Sequence, residues 1–218
     1  MILNKKIYNI NSILLINLTF GFFPISFVLG NFITNINLVL FCCLGIFHLR
    51  SKILTTEFDL AIKIIFLFFF IIFFSTSLDF LKSLYLKEYE YYDLIKLVKS
   101  ILFFRFFLML VIVYLLSKFD ILNFKYFFLS AAFIPLLVSL DIIFQYIFGF
   151  NIIGLPSYGH HNSGFFGDEL IAGGFILNFS FFSIFFAIFV LEKKKNIRFV
   201  LVVILMCILG MGIMLSGN

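Results

Sequence analysis

Residues 141–174, DIIFQYIFGFNIIGLPSYGHHNSGFFGDELIAGG, decide how the whole chain is read. An apolar segment carries an acid and an amide one helical turn apart, Asp141 and Gln145. It then breaks into a loop rich in glycine and bearing His160, His161, Asp168 and Glu169, and returns at once to apolar sequence. Residues four apart share a helix face, and an ionisable group inside an apolar span is a functional-site hypothesis by default. A polar loop between two spans is where a membrane protein places chemistry on headgroups or water-soluble substrates.

The rest of the chain supports the membrane reading. Of 218 residues, 63% are hydrophobic and only 12% charged, against about 45–50% apolar and about 25% charged in soluble domains. Spanning helices need about 17–25 apolar residues. Seven segments qualify: Ile13 to Leu29, Phe32 to Leu49, Leu60 to Leu78, Val98 to Leu116, Tyr126 to Phe148, Leu170 to Leu191 and Phe199 to Leu215. Lipid offers the backbone no hydrogen-bond partner, so these are helices. The expected fold is all-α, a polytopic transmembrane helical bundle forming a single domain over residues 1–218. Residues 80–99, with apolar and tyrosine positions at helical spacing among charges, read as one further helix lying in the interface. The Phe runs read as lipid-facing filler, and Cys42, Cys43 and Cys207 as buried small hydrophobes. No phosphate-binding or dinucleotide-binding glycine motif occurs, and the net charge of +5 reports topology rather than nucleic-acid binding.

Charge bias sets the orientation. With a cytoplasmic N-terminus the inside segments hold Lys5, Lys6, Arg50, Lys52, Lys118, Lys125, Lys193, Lys194, Lys195 and Arg198, while the outside ones hold Lys82, Lys87, Lys96 and Lys99. Basic residues concentrate inside, so the loop 149–169 faces outward.

Two charges fall in one layer. Arg105 lies about seven residues below the outer start of the fourth span and Asp141 about seven below the outer end of the fifth, so each is roughly 10 Å deep at 1.5 Å per residue. They form either an ion pair pinning two helices or a cationic pocket for a lipid-linked phosphate, a task that suits the arginine fork. The adjacent His160 and His161 point to opposite sides of an extended loop. They serve hydrogen bonding or phosphate contact, a plain solvated loop, or, with Asp168 and Glu169, a metal. Gly164 and Gly167 read as turn residues. Asp168 and Glu169, just ahead of an apolar helix, read as capping acids.

The order of these features, KSILFFRFF around Arg105, D-x-x-x-Q at 141–145, GFNIIG at 149–154, SGFFGDELIAGG at 163–174 and LSGN at 215–218, resembles the bacterial O-antigen ligase and O-antigen polymerase superfamily over roughly residues 100–218. The resemblance implies a metal-independent, cofactor-free membrane glycosyltransferase of the bacterial inner membrane. It would move glycan from an undecaprenyl-diphosphate donor to a lipid A-core, glycan or protein acceptor at the periplasmic face. Arg105, Asp141, Gln145, His161 and Glu169 are its donor or substrate candidates. Members carry an Arg close ahead of the loop's Ser-Gly, where this chain has His161, cationic part of the time near neutral pH. Family members also have a large late outer loop with an Arg and a His. The stop three residues after the last span therefore reads as a fragment whose general base lies beyond Asn218. The competing class is a polyprenyl-linked saccharide flippase or other transporter, which would show inverted repeats and helices broken at the midplane; no such repeat is visible.

The orientation is testable. In a chain stripped of its native cysteines, a cysteine at Ser163 should react with a membrane-impermeant thiol reagent in intact spheroplasts. Labelling only after lysis would invert the topology.

Overall fold

The computed structural model describes residues 2–50, 52–86, 91–157, 161–167, 169–192 and 195–217, with the backbone alone for 2–11, 54, 91, 92 and 195. The described chain is helical: α1 (Ile2–Gly21), α2 (Phe23–Val28), α3 (Asn31–Leu49), α4 (Lys52–Thr55), α5 (Leu60–Leu86), α6 (Tyr91–Lys118), α7 (Phe124–Phe148), α8 (Ala172–Val190) and α9 (Lys195–Leu215), with a 3₁₀ turn at Gly164–Phe166. Six of these are long and apolar enough to cross a membrane, and Ser12–Gly21 is a shorter apolar helix. The all-α multi-pass membrane architecture expected from composition is the one observed.

Two details differ from expectation. The first span is not continuous: α1 ends at Gly21 and α2 restarts at Phe23, with Pro24 in its first turn, because proline is tolerated there but not in a helix interior. No separate interfacial helix covers residues 80–99. Residues 80–86 prolong α5 and residues 91–99 open α6, while Lys87–Glu90, including Tyr89, lie outside the described residues. Helical spacing of apolar groups among charges marks a helix emerging from the bilayer as well as one lying on it, and here it marks two emerging ends.

The chain divides into two compact units, Met1–Ile13 with Phe41–Leu122, and Leu14–Leu40 with Asn123–Asn218. In the first, α5 and α6 pack antiparallel through phenylalanine pairs. Ring centroids lie 5.3 Å apart for Phe66 and Phe107 and 5.0 Å for Phe69 and Phe103, and Thr76 Oγ1 donates to Ser100 Oγ at 2.9 Å. Phe68 and Phe70 are exposed, as lipid-facing filler would be, but Phe69 is buried. Cys42 is buried; Cys43 and Cys207 are exposed rather than buried, which costs a small apolar thiol nothing on a helix facing lipid.

In the second unit α7 packs on α2, α8 and α9, and α8 packs on α9. Their shared core is Val138, Ile142, Phe166, Ala172, Phe175, Ile176 and Leu209. Helix α7 starts with an Asn123 cap whose side chain accepts from Lys125 N–H and ends at Gly149, left-handed with φ +79°. Pro135 lies inside it, and hydroxyls attend the backbone around the proline. Ser139 Oγ donates to Pro135 O at 2.8 Å and Ser183 Oγ, from α8, to Ala132 O at 2.6 Å, a substitution of partners that membranes require. Close approach of α9 to α7 rests on Gly212: a Cβ there would meet Ser139 Cβ and Oγ at 2.7 Å.

Gly212→Ala is therefore expected to destabilise the protein by about 1–3 kcal/mol, read as a lower thermal midpoint in detergent. Gly210→Ala, which enters open space on the same helix, should not lower it. An unchanged midpoint in Gly212→Ala would mean that α7 and α9 do not approach this closely.

Candidate functional site

The polar residues of α7 and the loop beyond it form one hydrogen-bonded assembly. Asp141, Gln145 and Asn151 are all fully buried. Gln145 Oε1 accepts from the Gly164 N–H at 2.8 Å, and Gln145 Nε2 donates to Pro156 O at 3.1 Å and to Leu155 O at 3.4 Å. Asn151 holds the same loop from the other end. Its Oδ1 accepts from Ile153 N–H at 3.1 Å and Leu155 N–H at 2.7 Å, and its Nδ2 donates to Gly164 O at 2.8 Å. Asp141 Oδ1 accepts from Ile152 N–H at 2.9 Å. The peptide groups on both sides of Gly164 are thus gripped by two buried amides.

Gly164 has no alternative at its position. Its φ is +57°, and a Cβ would stand 3.0 Å from Ile142 Cγ1 and 3.1 Å from Asp141 Oδ2. Gly167, at φ +61°, completes the turn, Ser163 Oγ donates to its carbonyl, and the intervening Phe166 is buried in the core cluster. Both glycines serve as the turn residues that the sequence indicated. Residues 150–156 form a tight turn closed by an isolated bridge between Phe150 and Pro156, with Ile152 and Ile153 exposed at its tip.

Next to this anchor is a cavity of about 320 Å³ at the end of α7 and α9, lined by Gln145, Tyr146, Gly149, Ser157, Asn162, Met214 and Leu215. Asn162 Nδ2 donates to Leu215 O at 2.8 Å and Asn162 Oδ1 accepts from Ser157 Oγ at 3.0 Å, so the loop is tied to the last turn of α9. His161 precedes Asn162; its Nδ1 is buried and, among the described residues, has no hydrogen-bond partner. Asp141 Oδ2 is in the same condition.

Of the residues singled out from sequence, Asp141, Gln145 and His161 belong to this assembly. Glu169 lies apart from the cavity lining: it is exposed, and its Oε1 accepts from Asn31 Nδ2 at 3.4 Å. It does not cap α8, whose N-cap is Ile171 without a side-chain bond. His160 and Asp168 lie outside the described residues. Arg105 is exposed on α6 with its guanidinium 4.9 Å from the Phe106 ring centroid; it belongs to the first unit and Asp141 to the second. Sequence reasoning passed over Asn151, Ser157 and Asn162. For Asn151 the signal was present, since an asparagine inside GFNIIG next to a helix-ending glycine is the residue that closes an Asx turn onto its own backbone. Ser163 is buried, so a thiol there would be shielded, and exposed Ile153 is the loop position that reports sidedness.

No protein-family model, curated protein or solved structure matches this chain.

Asn151→Ala would leave the Leu155 N–H and the Gly164 carbonyl without partners, at about 1–3 kcal/mol for each buried group. Amide exchange at residues 153–155 and 161–164 should accelerate at least tenfold while the interior of α8 stays protected. Unaltered exchange would show that other contacts hold the loop.

Proposed function

We propose that this chain is a multi-pass glycosyltransferase of the O-antigen ligase and polymerase type. In this reading it lies in the bacterial inner membrane with its N-terminus in the cytoplasm and the loop 149–169 in the periplasm. It uses an undecaprenyl-diphosphate-linked glycan as donor. The observation that carries the reading is the cavity at the end of α7 and α9, roofed by a loop that buried amides hold in one conformation. A lipid-linked diphosphate keeps its tail in the bilayer and its headgroup at the interface, and this cavity lies at the ends of two apolar helices long enough to span. The sequence resemblance over residues 100–218 supports the same assignment.

Glycan transfer needs the leaving diphosphate stabilised and the acceptor hydroxyl held in line with the anomeric carbon. Within the cavity Ser157, Asn162 and Tyr146 present hydroxyl and amide groups of the kind that hold sugars. His161, with its buried and unpartnered Nδ1, is the loop's group for a phosphate oxygen. Gln145 and Asp141 act through the loop: the amide oxygen and nitrogen of Gln145 and the Oδ1 of Asp141 are engaged by its backbone, so they are positioning residues. Arg105, on the first unit, is the permanent cation that the sequence resemblance offers for a diphosphate. Glu169, turned to Asn31, is left out of this site.

The test is complementation of a deletion strain in the source bacterium, read as surface-glycan ladders on gels. Removing one charge-stabilising contact costs about 10²–10³ in turnover. Arg105→Ala should therefore abolish the ladder, and His161→Ala weaken it strongly, with normal protein levels in the membrane. A normal ladder from the deletion strain, or from both variants, would overturn the proposal.

A further inference from the structure

A second cavity, of about 670 Å³, lies along the first two turns of α8. It is walled by Phe27 of α2, Phe166 of the loop, and Phe175 and Phe179 of α8, with Asn31 and Asn178 as its polar members. Its size is that of a ligand site, about 300–1,000 Å³.

Its polar groups set it apart from an ordinary crease between lipid-facing helices. Asn178 is exposed, roughly 9 Å along α8 from its start, and has no hydrogen-bond partner among the described residues. An amide without a partner at that depth is costly in hydrocarbon, so it calls for a ligand atom to bond. At the mouth stands the exposed carboxylate of Glu169, held by Asn31, and no lysine or arginine lines the cavity. A bare anionic headgroup would be repelled there and an ammonium attracted. Between the two, Gly173 and Gly174 line the wall at the first turn of α8. Among the described residues no side chain caps that helix, so its leading N–H groups lack intrahelical partners.

We propose that this groove binds one aminophospholipid. Its ammonium pairs with Glu169, its phosphate lies over the first turn of α8, an ester carbonyl accepts from Asn178, and one acyl chain runs along Phe27, Phe175 and Phe179. Zwitterionic chemistry fits because the site offers a carboxylate for the amine and uncharged N–H donors for the phosphate. The site is independent of whichever reaction the cavity beside His161 serves.

The experiment places the purified protein in mixed micelles containing equal phosphatidylethanolamine and phosphatidylglycerol, and counts the lipid retained after washing by native mass spectrometry. Wild type should keep one phosphatidylethanolamine with about tenfold preference, the worth of one charge-assisted hydrogen bond. Glu169→Gln keeps the bond to Asn31 but drops the charge, and should bring the ratio near one. Asn178→Leu should lower retention several-fold. Gly174→Leu enters open space, since a Cβ there meets nothing within 4 Å; it should leave helicity and thermal midpoint intact while the retained lipid is lost. Equal retention of the two lipids by wild type, or unchanged retention in any one of the three variants, overturns the proposal.

Discussion

A backbone that leaves a helix at the edge of a bilayer gives up partners that lipid cannot replace. In this protein Gln145 and Asn151 replace them. Each spends its amide on loop peptide groups, and together they hold both the N–H and the carbonyl of Gly164. The position of Phe166 in the core and the shape of the cavity at the end of α7 and α9 both depend on that grip. So does the conformation that only glycine accepts at residue 164. Buried polar groups in an apolar environment are costly unless every one is satisfied. The bonds of Gln145 and Asn151 offset that cost for the peptide groups of Gly164.

The same accounting separates the residues of α7 into two kinds. Polar side chains on a spanning helix invite a substrate-binding interpretation, yet Gln145 has its hydrogen-bonding capacity committed to Gly164, Leu155 and Pro156. Around Pro135 the hydroxyls of Ser139 and Ser183 are likewise occupied by carbonyls. Among the described residues the buried side-chain atoms left without a partner are His161 Nδ1 and Asp141 Oδ2, and the exposed amide of Asn178 on α8 is also unbonded.

Much of this was legible in the chain before folding. Spans were legible because hydrocarbon admits only long apolar helices, and the turns at Gly164 and Gly167 because glycines flanking a pair of aromatics have few other uses. Three readings failed for a common reason. Residues 80–99, the burial of Cys43 and Cys207, and Glu169 as a helix cap were each judged from local pattern, yet each outcome depended on what the rest of the fold placed nearby. Asn151 was overlooked although its asparagine-in-an-apolar-turn signature is local. Asn162 could not have been found at all, because its partner, Leu215, lies 53 residues away and nothing in the intervening sequence announces the meeting.

That last contact also imposes an order in time. The grip of Gln145 on Gly164 closes over 19 residues, and α7, its loop and the start of α8 emerge from synthesis together. The bond from Asn162 to the last turn of α9 must wait until α8 and α9 have both been inserted, since its acceptor lies 53 residues downstream. The loop is therefore assembled in two stages, a hairpin that can set early and a wall that arrives late. Until the second stage is complete the cavity lacks Met214 and Leu215, two of its lining residues, so a nascent chain with a formed loop has an incomplete cavity.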